Sequence, residues 1–201
     1  MSGDTKERIL DCAIDLFSNK GYDAVSVRDI AAAVGIKASS LYKHFENKES
    51  ILEHIFDLFR SVMLSTHEYE SKVLQLPDRI SAAEILKNSF ILFRDLIYQP
   101  RLLKITRIIN LEQGRNASIK SFFLQELVDK PINELEATFA AMIGSGLLKP
   151  ASPRKLATIY HANIISTYFI HNILKDNLNL PQVEKEMLDF IDFFCETFGR
   201  E

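Results

Sequence analysis

Residues 25–50 read VSVRDIAAAVGIKASSLYKHFENKES, two short helical patterns either side of one glycine. Ser26 followed by Asp29 is a capping signature: the hydroxyl can take the Asp29 N–H while the carboxylate takes the Ser26 N–H. Val27, Ile30, Ala31 and Val34 then share one face, and Gly35 is placed to end the helix in the left-handed conformation. A further helix is predicted over residues 37–45, with Leu41 and Phe45, at i and i+4, turned inward beside Ile36. Asn47 is placed to cap a fourth helix, whose stripe Ile51, Leu52, Ile55, Phe56, Phe59 and Met63 runs towards Leu74. A two-turn helix, a glycine turn and a second short helix form the pattern of a helix-turn-helix.

Upstream, Asp4 and Glu7 offer another capping box, and Ile9, Leu10, Ala13, Ile14, Leu16 and Phe17 follow at helical spacing until Gly21. Downstream of Pro77, helices are predicted over residues 78–98, 102–111 and 118–144, the last with a kink or break at Pro131. Two more, over residues 153–175 and 181–198, open on prolines suited to a first helical turn. The 201 residues are 47% hydrophobic and 25% charged, with only 7 Gly and 6 Pro, and no run alternates in the manner of a strand. The expected class is all-α. Residues 1–47 form the predicted helix-turn-helix head and residues 48–201 a larger domain, with helix four shared across the boundary.

The net charge of −3 does not suggest a nucleic-acid partner. Its distribution does, because Lys37, Lys43 and Lys48 stand against Glu46 alone, with Arg28 upstream and His44 within. Cys12 and Cys195, far apart and each in an apolar helical pattern, read as small buried hydrophobes. The N-terminus has no apolar signal segment, so a cytoplasmic location is expected. The five histidines, His44, His54, His67, His161 and His171, show no metal-binding pair spacing, and the HEYE run at residues 67–70 reads as a solvated helix face. With no glycine-rich phosphate loop or nucleophile motif either, neither an enzyme nor a cofactor is expected. A pure protein-interaction bundle is the other alternative, and it would show no salt-dependent DNA binding.

A recognition helix enters the major groove N-terminus first, so the small Ala38, Ser39 and Ser40 would let its backbone approach base edges and phosphates. Ala38 suits a thymine methyl, the two hydroxyls suit bases or phosphates, and Lys43 reaches a guanine edge or a phosphate. Tyr42 and Lys48 flank the helix where the DNA backbone would pass, and Lys48 sits at a helix N-terminus that already favours phosphate. Tyr42 has a second reading as a half-buried core residue. His44 either touches phosphate or wedges beside Phe45; Arg28 either contacts DNA or pairs with Asp29 or solvent.

The segment GYDAVSVRDIAAAVGIKASSLYKHFENKESIL, residues 21–52, resembles the DNA-binding segment of the TetR/AcrR family of bacterial transcriptional regulators. The resemblance covers about the first 55 residues. It rests on Gly21-Tyr22, Arg28-Asp29-Ile30-Ala31, Gly35, Leu41-Tyr42, His44-Phe45 and Lys48-Glu49 in one register. Lys37 departs from it, standing where many relatives carry a serine or threonine that caps the recognition helix. The resemblance implies a homodimer of all-helical subunits, each with this three-helix head and a larger ligand-binding and dimerisation domain. It also implies double-stranded operator DNA and a small-molecule inducer as partners, with release of a repressor as the usual logic.

Residues 156–174, LATIYHANIISTYFIHNIL, contain no charged side chain, yet their polar groups are too many for a membrane span. Such a helix needs cover on both sides. The last helix carries Val183, Met187, Phe190, Ile191, Phe194 and Phe198 as a stripe. A symmetric four-helix interface between two copies would use both helices, and Ile165, Phe169, Ile191, Phe194 and Phe198 are its expected contacts. For an apolar or amphipathic ligand, the expected lining comes from Phe93, Tyr98, Arg107, Phe122, Phe139, His161 and Tyr168. Phe90, Arg94, Ile97, Asn110, Phe123 and Met142 are further candidates.

Overall fold

The structure, a computed structural model, describes residues 5–73, 80–174 and 178–200. Asp4, Leu74 and the 78–79 start of the expected fifth helix lie outside the described residues, as do the side chains of residues 64–79. Among the described residues the fold is all-α, with one isolated antiparallel bridge between Leu148 and Gly199. The chain forms two compact units, each built from two stretches of sequence: Met1–Val62 with Tyr98–Phe123, and Met63–Ile97 with Leu124–Glu201.

The first unit contains helices α1 (Thr5–Lys20), α2 (Val27–Val34), α3 (Ala38–Leu41), the start of α4 (Lys48–Val73), α6 (Pro100–Glu112) and α7 (Ala117–Phe122). Its core follows the apolar spacing of α1, where Ile9, Leu10, Ala13, Ile14 and Phe17 are buried, and of α4, where Ile51, Leu52, Ile55, Phe56 and Phe59 are buried. Each of these Ile, Leu and Phe side chains contributes about 1.5–3 kcal/mol by leaving water. Helix α1 packs on α2 and α6, and α2 packs on α3. The Phe122 ring of α7 stacks on Phe56 at 3.9 Å and meets Phe59 edge-on at 5.7 Å.

The second unit contains α5 (Ala82–Ile97), α8 (Lys130–Gly144), α9 (Pro153–Phe169) and α10 (Leu180–Phe198). Helix α8 packs along α9, and α10 packs on α5 and α9. The core gathers Leu86, Phe90, Phe139, Met142, Tyr160, Met187 and Phe194, with Phe139 5.6 Å from Tyr160 and 5.4 Å from Phe194. Helix α5 begins at Ala82 because Ser81 and Glu84 make a reciprocal capping box, Ser81 N–H to Glu84 at 2.9 Å and Glu84 N–H to Ser81 at 3.2 Å.

The expected break at Pro131 is a stretch of π-helix, Phe123–Asp129, ahead of α8. Proline has no N–H for the carbonyl four residues back, which is that of Leu127. His161 on α9 supplies the hydrogen bond, its Nε2 lying 2.8 Å from the Leu127 oxygen. Burial pushes the His161 pKa below its ordinary value, consistent with a neutral ring donating from Nε2. Helix α9 likewise ends in a π-helical stretch, Ile170–Leu174.

Candidate nucleic-acid interface

The head is built on α2. The Ser26–Asp29 capping box is present, with Ser26 N–H to Asp29 at 2.8 Å and Asp29 N–H to the Ser26 hydroxyl at 3.2 Å. The hydrogen bonds from Ser26 hold the Asp29 pKa below the usual carboxylate range. At the other end Gly35 has φ +78°, its N–H meets the Ala32 carbonyl at 3.1 Å, and the Ile36 N–H meets that of Ala31 at 3.0 Å. This is a Schellman closure, which turns the chain at once into α3.

Helix α3 is shorter than the expected span of residues 37–45. Only Ala38–Leu41 is α-helical, its N-cap Lys37 makes no side-chain capping bond, and the chain then tightens. Lys43 N–H bonds Ser40 at 3.3 Å and His44 N–H bonds Leu41 at 2.9 Å, both i to i−3. Leu41 and Phe45 are buried, and that tight tail still brings Phe45 to the core. Ser39, Lys43 and His44 are exposed, Ala38 and Ser40 are half-buried, and Tyr42 is 53% exposed. The core reading of Tyr42 and the wedged reading of His44 therefore lose their basis. Arg28 is exposed, while the Asp29 carboxylate is engaged by Ser26.

Asn47 caps α4, its side-chain oxygen accepting the Ser50 N–H at 2.7 Å. Lys48, the first residue of α4, is fixed from the side by Tyr22. Its ammonium donates to the Tyr22 carbonyl at 3.0 Å and lies 4.1 Å from the centre of the Tyr22 ring. The Tyr22 hydroxyl donates to Glu49 at 3.3 Å, and burial together with that carboxylate pushes the phenol pKa strongly up. The Tyr22 N–H in turn donates to Glu112, the last residue of α6, at 3.3 Å. Tyr22, Glu49 and Glu112 are missing from the residues expected to form the site. Gly21-Tyr22 and Lys48-Glu49 at least stand in the sequence register, but Glu112 lies 90 residues from Tyr22 and nothing local points to it.

Further contacts secure the head. The Lys6 ammonium is 2.9 Å from His54 Nε2, and His54 Nδ1 is 2.7 Å from the Ser50 carbonyl. An ammonium has only protons to give, so Nε2 is the bare nitrogen and Nδ1 carries the proton. Along α1, Arg101 of α6 pairs with Glu7 at 2.9 Å and Asp11 at 3.0 Å, and Lys104 pairs with Asp15 at 2.6 Å.

The expected ligand residues fall in both units. In the first, Phe122 is part of the ring stack on Phe56, Tyr98 is half-buried and Arg107 is exposed. In the second, Phe139 and His161 are buried, and Phe93 and Tyr168 are half-buried. Of the residues expected between two copies, Ile191 and Phe194 are buried in their own subunit's core; Ile165 and Phe198 are half-buried and Phe169 is exposed. The outward apolar positions of this region are Ile159, Phe169, Ile170, Leu174 and Phe193, the last two 65% and 62% exposed. Among the described residues no group of three or more His, Cys, Asp or Glu could hold a metal, and no helix is long and apolar enough to cross a membrane.

The family model for bacterial regulatory proteins of the tetR family matches residues 9–55, which span α1 to the first turns of α4. The biofilm operon icaADBC HTH-type negative transcriptional regulator IcaR of Staphylococcus epidermidis is 45% identical over 67 residues, 31% of this chain and 36% of that protein. The chain thus spans about a third of the length of the curated relatives it matches. Over nearly the whole chain the fold is similar to that of a TetR family transcriptional regulator from Pseudomonas syringae pv. tomato, with a TM-score of 0.75, 18% identity and 100% of each chain covered. It is also similar to that of a transcriptional regulator from Saccharomonospora viridis in complex with choline, with a TM-score of 0.69, 21% identity and 98% of each chain covered.

Proposed function

We propose, from a head that belongs to the tetR family of bacterial regulatory proteins, that the chain is a dimeric, sequence-specific transcriptional regulator acting in the cytoplasm. It represses from double-stranded operator DNA and leaves that DNA when a small apolar or amphipathic molecule binds outside the head. The observation that carries the reading is the exposed run Ser39, Tyr42, Lys43 and His44 beside Lys48 at the N-terminus of α4. A hydroxyl, a phenol, an imidazole and two ammonium groups on one short stretch match the donors that duplex phosphates and base edges accept. Arg28, Ala38 and Ser40 complete the proposed contact set.

Pairing of two copies is supported by the outward Phe193, Leu174, Ile170, Phe169 and Ile159, more apolar surface than α9 and α10 need within one subunit. Two heads in a dimer address half-sites about 34 Å apart, one turn of duplex. A small-molecule site is supported by the aromatic second unit and by the choline found with a protein of similar fold. Titration of the purified protein with the DNA upstream of its own coding sequence tests the reading. Binding should be saturable, should fall linearly on a log–log plot with salt, and should exceed binding to random duplex by about a thousandfold or more. Equal affinity for random duplex would leave a duplex-binding protein without an operator.

A further inference from the structure

Glu112 stands where two physical effects oppose it. It closes α6, where the negative end of the helix dipole repels a carboxylate, and it is 7% exposed, so its charge is largely stripped of water. Its Oε1 instead accepts the Tyr22 N–H at 3.3 Å and lies 2.9 Å from where a Cβ on Gly21 would stand. Gly21 has φ +86°, so a side chain there would meet both backbone strain and the carboxylate. The Gly21–Tyr22 peptide therefore docks on Glu112 through a residue type that places few limits on its own rotation. On its other edge the same Tyr22 carries Lys48, through its carbonyl at 3.0 Å and its ring face at 4.1 Å.

We propose that Glu112 is a positioning residue for phosphate binding: it anchors the Tyr22 backbone, and Tyr22 holds the Lys48 ammonium in place at the N-terminus of α4. A lysine has three protons to give, and the Tyr22 carbonyl takes one, leaving two for a phosphate oxygen. Fixing a long, flexible side chain before DNA arrives removes an ordering cost that the contact would otherwise meet on binding. Glu112 never touches DNA in this arrangement; it acts through Tyr22.

Resting on the reading of the head as a duplex-binding surface, this assignment is tested on random-sequence duplex, since a phosphate contact is blind to sequence. Affinity is measured across a salt series for the wild-type chain, Glu112→Ala, Glu112→Gln, Lys48→Ala and the double variant Glu112→Ala/Lys48→Ala. Glu112→Ala should weaken binding about tenfold and lower the slope of log K against log salt by about one, as Lys48→Ala does. Glu112→Gln retains a carbonyl oxygen for the Tyr22 N–H and should stay near wild type. The double variant should bind no more weakly than Lys48→Ala alone, because both changes remove one contact. Should Glu112→Ala unfold at the assay temperature, Glu112→Asp, which keeps the charge and loses the reach, takes its place. An unchanged salt slope, or losses that multiply in the double variant, would overturn the assignment and mark Glu112 as a fold-stabilising residue only. A wild-type chain that binds no duplex would overturn the reading of the head itself.

Discussion

Single residues of the head divide into those expected to contact phosphate and those expected to contact bases. Lys48→Ala should weaken binding to every duplex alike, whereas changes at Ser39, Ser40 or Lys43 should alter the ranking among sequences. A binding selection on a randomised duplex pool separates the two. Gly21→Ala should destabilise the chain by about 1–2 kcal/mol through its left-handed φ alone, before any clash with Glu112, and thermal unfolding measures it. At this scale the sequence was informative wherever the signal was local. The Ser26–Asp29 box, Gly35 and Asn47 all stand where the spacing puts them, because a cap is made by neighbours three residues apart. Glu112 was illegible for the opposite reason: its partner lies on another helix, and nothing in a run of residues records which carboxylate will meet which amide.

At the scale of elements, the sequence predicts what is buried but not by what. The stripe Val183, Met187, Ile191 and Phe194 is buried as its period requires, yet by α5, α8 and α9 of the same subunit. Periodicity carries no record of which copy supplies the cover. The shortness of α3 was hidden too, since i to i−3 and i to i−4 bonds keep Leu41 and Phe45 inward alike. Between α9 and the π-helical stretch ahead of α8, His161→Ala should cost about 1–3 kcal/mol by orphaning the Leu127 carbonyl, four residues before Pro131. The pH dependence has a definite sign. Burial depresses the folded pKa of His161, so below the unfolded value of about 6.5 the unfolded chain binds the extra proton first. Stability is therefore full above that pH and falls as pH drops towards the folded pKa. Denaturant unfolding at about pH 7.5 and about 5.5 should show the loss, and His161→Gln, which keeps a donor and does not titrate, should flatten it.

For the whole molecule, self-association is the property most open to direct test. Phe193→Glu places a carboxylate on the outward apolar surface, so it should leave the fold intact and give single chains by light scattering at micromolar concentration. Phe194→Glu buries the same charge inside one subunit and should instead abolish folding, which circular dichroism reads. Monomers that bound operator as tightly as the wild-type chain would separate DNA recognition from pairing. The first compact unit joins two stretches that lie far apart in the chain, residues 1–62 and 98–123. A ribosome delivers α1 to α4 well before α6 and α7, so the nascent head waits with the Phe56 and Phe59 rings and the acidic side of α1 uncovered until residue 123 has emerged. Grafted onto another protein by a cut after residue 47 or 62, the head would arrive without Glu112, Phe122 and the rest of the second stretch of its compact unit, residues 98–123.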